Sequence, residues 1–241
     1  MVKEKNKGKH RLILSMLCVS AIMYMGGCAV GTEDVKQIKE TETDIADQME
    51  QYLKDTYGNI EYEVEGIVYA GWNQSYDVMN AYLAGGDSYA DAFRVRRIKE
   101  GGDIRFEDTY KSMLIRDDLE EKIHSMAESY FKKCVVYADT NHLWLSDAVG
   151  SDITLQAAID AGENIRCNVW LMVAPQLQSV EEFRQATESF MEEWRQTGIN
   201  ISFSFFYLKE GVYEQVTRAN RFDMNEPEYY QEFITKSMSD N

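Results

Sequence analysis

Three consecutive stretches decide the fold class: IRCNVWLMVA (residues 165–174), SVEEFRQATESFMEEWRQTG (179–198) and INISFSFFYL (199–208). The first is apolar without interruption from Val169 to Val173, the pattern of a strand covered on both faces. The second opens on Ser179 with Glu182 three residues later, a capping box. Val180, Phe183, Phe190 and Trp194 then fall on one helical face, and Gly198 ends the segment. The third alternates, with Ile199, Ile201, Phe203, Phe205 and Tyr207 on one side. Strand, helix and strand in succession predict layered architecture.

Working outward, the same order recurs over residues 93–138. Residues 93–98 read as a strand closed by Gly101-Gly102. Leu119, Ile123, Met126, Ala127, Tyr130 and Phe131 form one helical stripe behind Asp117, and residues 134–138 read as a strand. Upstream, Ile38, Ile45, Met49, Tyr52 and Leu53 predict a helix stopped by Gly58. Ile60, Tyr62 and Val64 alternate with Glu61, Glu63 and Glu65, and the apolar phase flips across Gly66, which predicts a bulge. Gly71-Trp72-Asn73-Gln74 reads as a turn, 78–83 as a strand, and Gly85-Gly86-Asp87 as another turn. A loop with Trp144 spans 139–150, and a short helix spans 154–161. Residues 212–216 are expected to return as a hairpin strand, and Pro227 to open a helix through Tyr230 and Phe233. The expected fold is α+β: a mixed, largely antiparallel sheet with helices packed on one face, built around two strand-helix-strand units. Residues 40–241 form one globular domain, with 40–140 and 150–241 as candidate subdomains.

The N-terminus carries an address. Lys3, Lys5, Lys7, Lys9 and Arg11 precede an apolar run over residues 12–25. A helix needs about 20 apolar residues to span a bilayer, so a shorter run behind a basic start reads as a signal peptide. The run ends in Met25-Gly26-Gly27-Cys28, which resembles a lipobox, although Met25 stands where Leu is usual and Gly26 is a less common choice. The resemblance implies a signal peptide over 1–27, a lipid on Cys28, and a tether over 28–39. Two acyl chains, at about 0.8 kcal/mol per buried CH₂, hold a protein stably on a membrane. The expected location is the outer, extracytoplasmic face of the cell membrane.

Composition excludes some partners. The formal charge is −16, and loss of residues 1–27 removes five basic residues and one acidic residue, leaving −20. An acidic domain is repelled by an anionic membrane surface and is a poor match for nucleic acid, whose phosphates need a basic face. Apolar residues at 44% and only two prolines indicate a folded domain rather than a disordered spacer.

Chemistry-bearing residues are few. Cys134, His142 and Asp139 or Asp147 would suffice for a nucleophilic triad, but no spacing demands one. His124 lies beside an apolar helical stripe. Asp87 and Asp91, and Asp139, Asn141, Asp147 and Asp152, are acidic loops without the ligand periodicity of a calcium site. No metal or cofactor is expected. Cys134 and Cys167 are either a bridge, if their strands are parallel neighbours, or two buried thiols, the reading preferred because no feature fixes the strand order. Arg94, Arg96 and Arg97, with Lys99, make one basic cluster; it either meets an anionic partner or pairs with neighbouring carboxylates. Trp72 and Trp144 lie in turns or loops, as partner contacts or folded onto the core.

Tyr-rich, acidic composition and the early Asp55-Thr56-Tyr57-Gly58 are similar to small lipoproteins of Gram-positive bacteria. That resemblance implies no activity and no functional residues. The expectation is a membrane-anchored binding or interaction module of the cell envelope with a protein partner, not an enzyme. The alternatives are an envelope enzyme with a dispersed site and an assembly factor for a membrane complex.

Overall fold

The computed structural model describes residues 40–150, 153–175 and 179–238. Within them the chain is α+β, with two four-stranded sheets. Helix α1 (Glu42–Tyr57) begins at a capping box between Thr41 and Asp44. Gly58, at φ 75°, ends it in the left-handed region that favours glycine. Strands β1 (Tyr62–Val68), β2 (Tyr76–Leu83), β3 (Ala92–Glu100) and β4 (Asp103–Asp108) follow as an antiparallel meander in that order. Met49 and Leu53 of α1 pack on Met79, Ala81, Phe93 and Val95, so one face of the meander is covered. The predicted bulge is present. Register passes from Val64↔Ala81 to Gly66↔Asn80, leaving Glu65 unpaired.

Helix α2 (Tyr110–Leu114) leads from the meander into α3 (Arg116–Ala127) and β5 (Cys134–Asp139). The Ser112 hydroxyl donates to the Thr140 carbonyl at 2.5 Å, tying the end of the first half to the loop after β5. Helix α4 (Leu155–Asp160), β6 (Cys167–Val173), α5 (Val180–Arg195), β7 (Ile201–Leu208) and β8 (Tyr230–Ser237) complete the chain. The second sheet has the order β5-β6-β7-β8. Its β6–β7 pair is parallel, while its other two pairs are antiparallel. The capping box at Ser179 and Glu182 starts α5 as read. Phe183, Phe190 and Trp194 bury against Phe203, Phe205 and Phe131. Trp170, Met172, Phe206 and Leu208 point to the opposite face, under Met224 and Phe222. That two-sided cover is what the unbroken apolar run at 169–173 requires.

Several sequence expectations are corrected. There are two sheets, not one, and the first strand-helix-strand unit is not a unit, because β3 and β5 belong to different sheets. Gly101 and Gly102, at φ 59° and 101°, turn β3 back into β4, a strand not expected from DIRFED with its two apolar residues. Residues 213–215 form a 3₁₀ turn instead of a hairpin strand. The segment after Pro227 is β8, not a helix. β7 would otherwise leave a ladder edge of unpaired backbone groups, and β8 satisfies it.

The register separates the cysteines. Cys134 faces Val173 across the antiparallel β5–β6 pair, six residues from Cys167. At about 3.4 Å per residue, that is roughly 20 Å, against a bridging limit of about 7 Å. Both thiols are free and buried, and burial pushes each up to about 12. In the native chain at pH 8 neither thiol is expected to react with a water-soluble disulfide reagent within minutes, whereas both react after unfolding in urea. Rapid native labelling of either would show that its strand end opens readily.

Candidate functional site

The basic cluster divides between two faces of β3, as alternation along a strand requires. Arg97 shares the covered face with Phe93 and Val95 and is buried. Its Nη1 donates to Asp77 Oδ2 at 2.9 Å, its Nη2 to Glu40 Oε2 at 2.6 Å, and its Nε to Gln48 Oε1 at 2.8 Å. Asp77 is also buried and accepts from the Ala70 amide at 2.8 Å. The Arg97 guanidinium holds the Glu40 carboxyl below its usual range. Arg97 is therefore a structural cation that fastens the start of α1 to β2, and it is not available to a partner.

Arg94 and Arg96 lie on the other face. The Arg96 guanidinium sits 3.7 Å from the Trp144 ring centroid and 4.8 Å from that of Tyr76, a cation–π sandwich. Trp144 is thus half-buried on the outer face of the meander, folded down by Arg96 rather than offered to solvent. Trp72 is the opposite case. It is fully exposed at the tip of the β1–β2 hairpin. The tip is closed by the Gly71 amide donating to the Gln74 carbonyl at 2.9 Å, and by the Gln74 side chain donating to the Tyr76 carbonyl. The indole is held out by an ordered turn and touches no core.

Arg94 is exposed and lines a cleft of about 290 Å³ with Glu65, Asn80, Ser88, Tyr89 and His142. Asn141 completes the rim, its side-chain amide donating to the Tyr89 carbonyl at 3.0 Å. His142 Nδ1 lies 3.9 Å from Asp139 Oδ1, an ion-pair separation. The Asp139 carboxylate raises the His142 pKa, opposed by burial and by Arg94. Behind Tyr89 sits Arg221, 2% exposed. Its Nη1 donates to the Arg218 carbonyl at 2.6 Å, its Nε has no partner, and its guanidinium is stacked 4.2 Å from the Phe222 centroid. Burial lowers its pKa.

The imagined triad does not assemble. Cys134 and Asp139 occupy opposite ends of β5. Asp147 instead accepts from Lys111 Nζ at 2.7 Å, and His124 lies 3.3 Å from the Cys134 carbonyl. The acidic loop carboxylates are also committed. Asp87 accepts from the Tyr89 and Ala90 amides, and Asp91 from the Asp87 amide and Arg116. Asp152 lies outside the described residues, as do Cys28 and the tether. Among the described residues no three His, Cys, Asp or Glu side chains are grouped to hold a metal ion, and no helix is long and apolar enough to cross a membrane.

One cluster was not anticipated. Asp108, 2% exposed, accepts from the Tyr52 hydroxyl at 2.5 Å, from Tyr57 at 2.8 Å and from the Lys111 amide at 3.1 Å. Burial, then the Asp108 charge, raises both phenol pKa values far above normal. The phenols therefore act as hydrogen-bond donors that satisfy a buried carboxylate and pin the end of α1 to β4. Tyr57 of the Tyr57-Gly58 pair was visible in the sequence, but its distant partner was not.

Comparison with protein-family models, with curated proteins and with solved structures gave no match to this chain.

Proposed function

We propose that this chain is an exported lipoprotein, lipid-anchored through Cys28, whose folded domain is a binding module of the cell envelope that meets a protein partner through the β1–β2 hairpin. The observation that carries this reading is Trp72, fully exposed at the tip of an ordered turn. Leaving an indole in water forgoes about 1.5–3 kcal/mol or more of burial, by comparison with other large apolar side chains. Tryptophan is also a preferred hot-spot residue, and an ordered turn lowers the entropic cost of binding. The charge of −20 after signal removal favours a stance away from anionic lipid, which leaves the hairpin free for a protein. The rival enzyme reading gains nothing from geometry, because the candidate nucleophile, base and acid do not converge.

The test is photo-crosslinking on intact cells with a benzophenone amino acid at position 72 and, as control, at Glu210. One discrete protein adduct is expected from position 72 and none from 210. Trp72→Ala should leave folding stability within about 0.5 kcal/mol while weakening that partner at least tenfold, the effect of losing about 2 kcal/mol at a hot spot. No adduct at position 72, or equal adducts at both positions, would sink the partner reading. In the same cells Cys28→Ser is expected to abolish lipid attachment. A wild-type mature N-terminus found by mass spectrometry at any residue other than lipidated Cys28 would sink the anchoring.

A further inference from the structure

The cleft beside β3 contains two opposite charges that do not meet. Arg94 has no carboxylate within ion-pair distance among the described residues, while its neighbours Arg96, Arg97 and Arg105 each have at least one. Glu65, released from the ladder by the bulge, has no ion pair among those residues either. Both side chains line the same cleft. Register fixes their spacing: Gly66 pairs with Asn80, and Asn80 with Arg94, so Glu65 and Arg94 stand two strands apart with Asn80 between. Two interstrand steps are roughly 10 Å. The side chains of Asn80 and Ser88 make no hydrogen bond to any described residue, and both face this space. Tyr89, 60% exposed, supplies an apolar wall. His142 stands at the rim, and the buried Arg221 guanidinium lies 5.9 Å from the Tyr89 ring centroid, adding positive charge behind that wall.

We infer that this cleft binds a short peptide with free ends, of dipeptide size, its carboxylate on Arg94, its ammonium on Glu65, its peptide group on Asn80 and a side chain against Tyr89. A plain anion would leave Glu65 facing it, and a plain cation would leave Arg94 facing it; only a ligand carrying both charges some ångströms apart answers both. Guanidinium and carboxylate form two parallel hydrogen bonds, which suits Arg94 for a terminal carboxylate. A primary amide has a donor and an acceptor side by side and matches a peptide group in the same way. The volume of about 290 Å³ lies just below the ligand-site range of roughly 300–1,000 Å³, which restricts the occupant to a small ligand. The inference does not depend on the hairpin reading, since Trp72 is not part of this cleft.

The test is calorimetric titration of the whole chain with glycyl-phenylalanine, its N-acetyl form and its C-terminal amide. The free dipeptide is expected to bind saturably, and each capped form at least tenfold more weakly. Arg94→Gln should weaken the free dipeptide at least tenfold and abolish the penalty for the amide cap. Glu65→Gln should abolish the penalty for the acetyl cap. Both positions are exposed, and circular dichroism of each variant confirms the fold. Absence of saturable heat with the free dipeptide at millimolar concentration overturns the inference, as does equal binding of the capped and free forms or undiminished binding by Arg94→Gln.

Discussion

Arg97→Ala should cost about 3–5 kcal/mol of folding stability, the usual loss when one member of a buried ion pair is removed. The cause is what remains. Asp77, 4% exposed, would keep its Ala70 amide but lose its guanidinium. Glu40 and Gln48 would also lose their shared partner, and with it the clamp that holds the start of α1 on the meander. At about 2–4 °C per kcal/mol for a domain of this size, the melting temperature should fall by roughly 6–20 °C. Asp77→Asn in the Arg97→Ala background should recover part of the loss, because the amide removes the stranded charge. Urea unfolding of the three proteins decides the matter. A loss below about 1 kcal/mol would mean that water reaches Asp77 once the arginine is gone.

Phe190→Ala should be equally damaging, at about 3–5 kcal/mol, through a different mechanism. Phe190 is fully buried at the centre of an aromatic cluster. Its ring lies 5.3 Å from Phe203, 5.7 Å from Phe205, 6.1 Å from Phe131 and 6.2 Å from Trp194. Those neighbours come from β7, from the segment before β5, and from α5 itself, so none can collapse into the space without moving an element. A cavity therefore persists, and its cost adds to the lost transfer energy. Phe190→Leu fills most of the volume and should lose much less. Equal destabilisation by the two variants would show that the specific ring contacts, rather than the volume, hold α5 to the sheet. Against a total stability of about 5–15 kcal/mol, either large loss leaves a substantial unfolded population at growth temperature.

The sequence made the second sheet's core legible because its signals agree. In 165–208 the capping box, the helical stripe, the alternating strand and the doubly apolar strand all point to one arrangement. The bulge at Gly66 was legible for the same reason, since a phase flip has few other meanings. β4 was not, because Ile104 and Phe106 give too little alternation, and its existence depends on the turn at Gly101-Gly102. β8 was misread because Pro227 suits a turn as well as a helix start, and the demand for a strand came from the open edge of β7. In the basic cluster, parity along β3 already places Arg97 with Phe93 and Val95. What parity does not disclose is that α1 covers that face and brings Glu40 with it. The cleft was beyond reach altogether. Glu65, Asn80, Arg94 and His142 come together through strand register and a loop from the other half, neither of which leaves a local pattern.

The two sheets differ in the chain length that joins their strands. In the meander the connections are residues 69–75, 84–91 and 101–102; in the second sheet they are 140–166, 174–200 and 209–229. Closure entropy rises with loop length, and folding slows as contacts become less local. The meander thus has the shorter kinetic route, each strand meeting its partner soon after it. The second sheet has no such route: its parallel pair must wait for a whole helix, and its last edge closes only with Ser237 in place. Topology therefore makes the C-terminal half the part expected to assemble slowly and late, and a chain synthesised from the N-terminus has β1–β4 available to fold before the strand that seals β7 has been made.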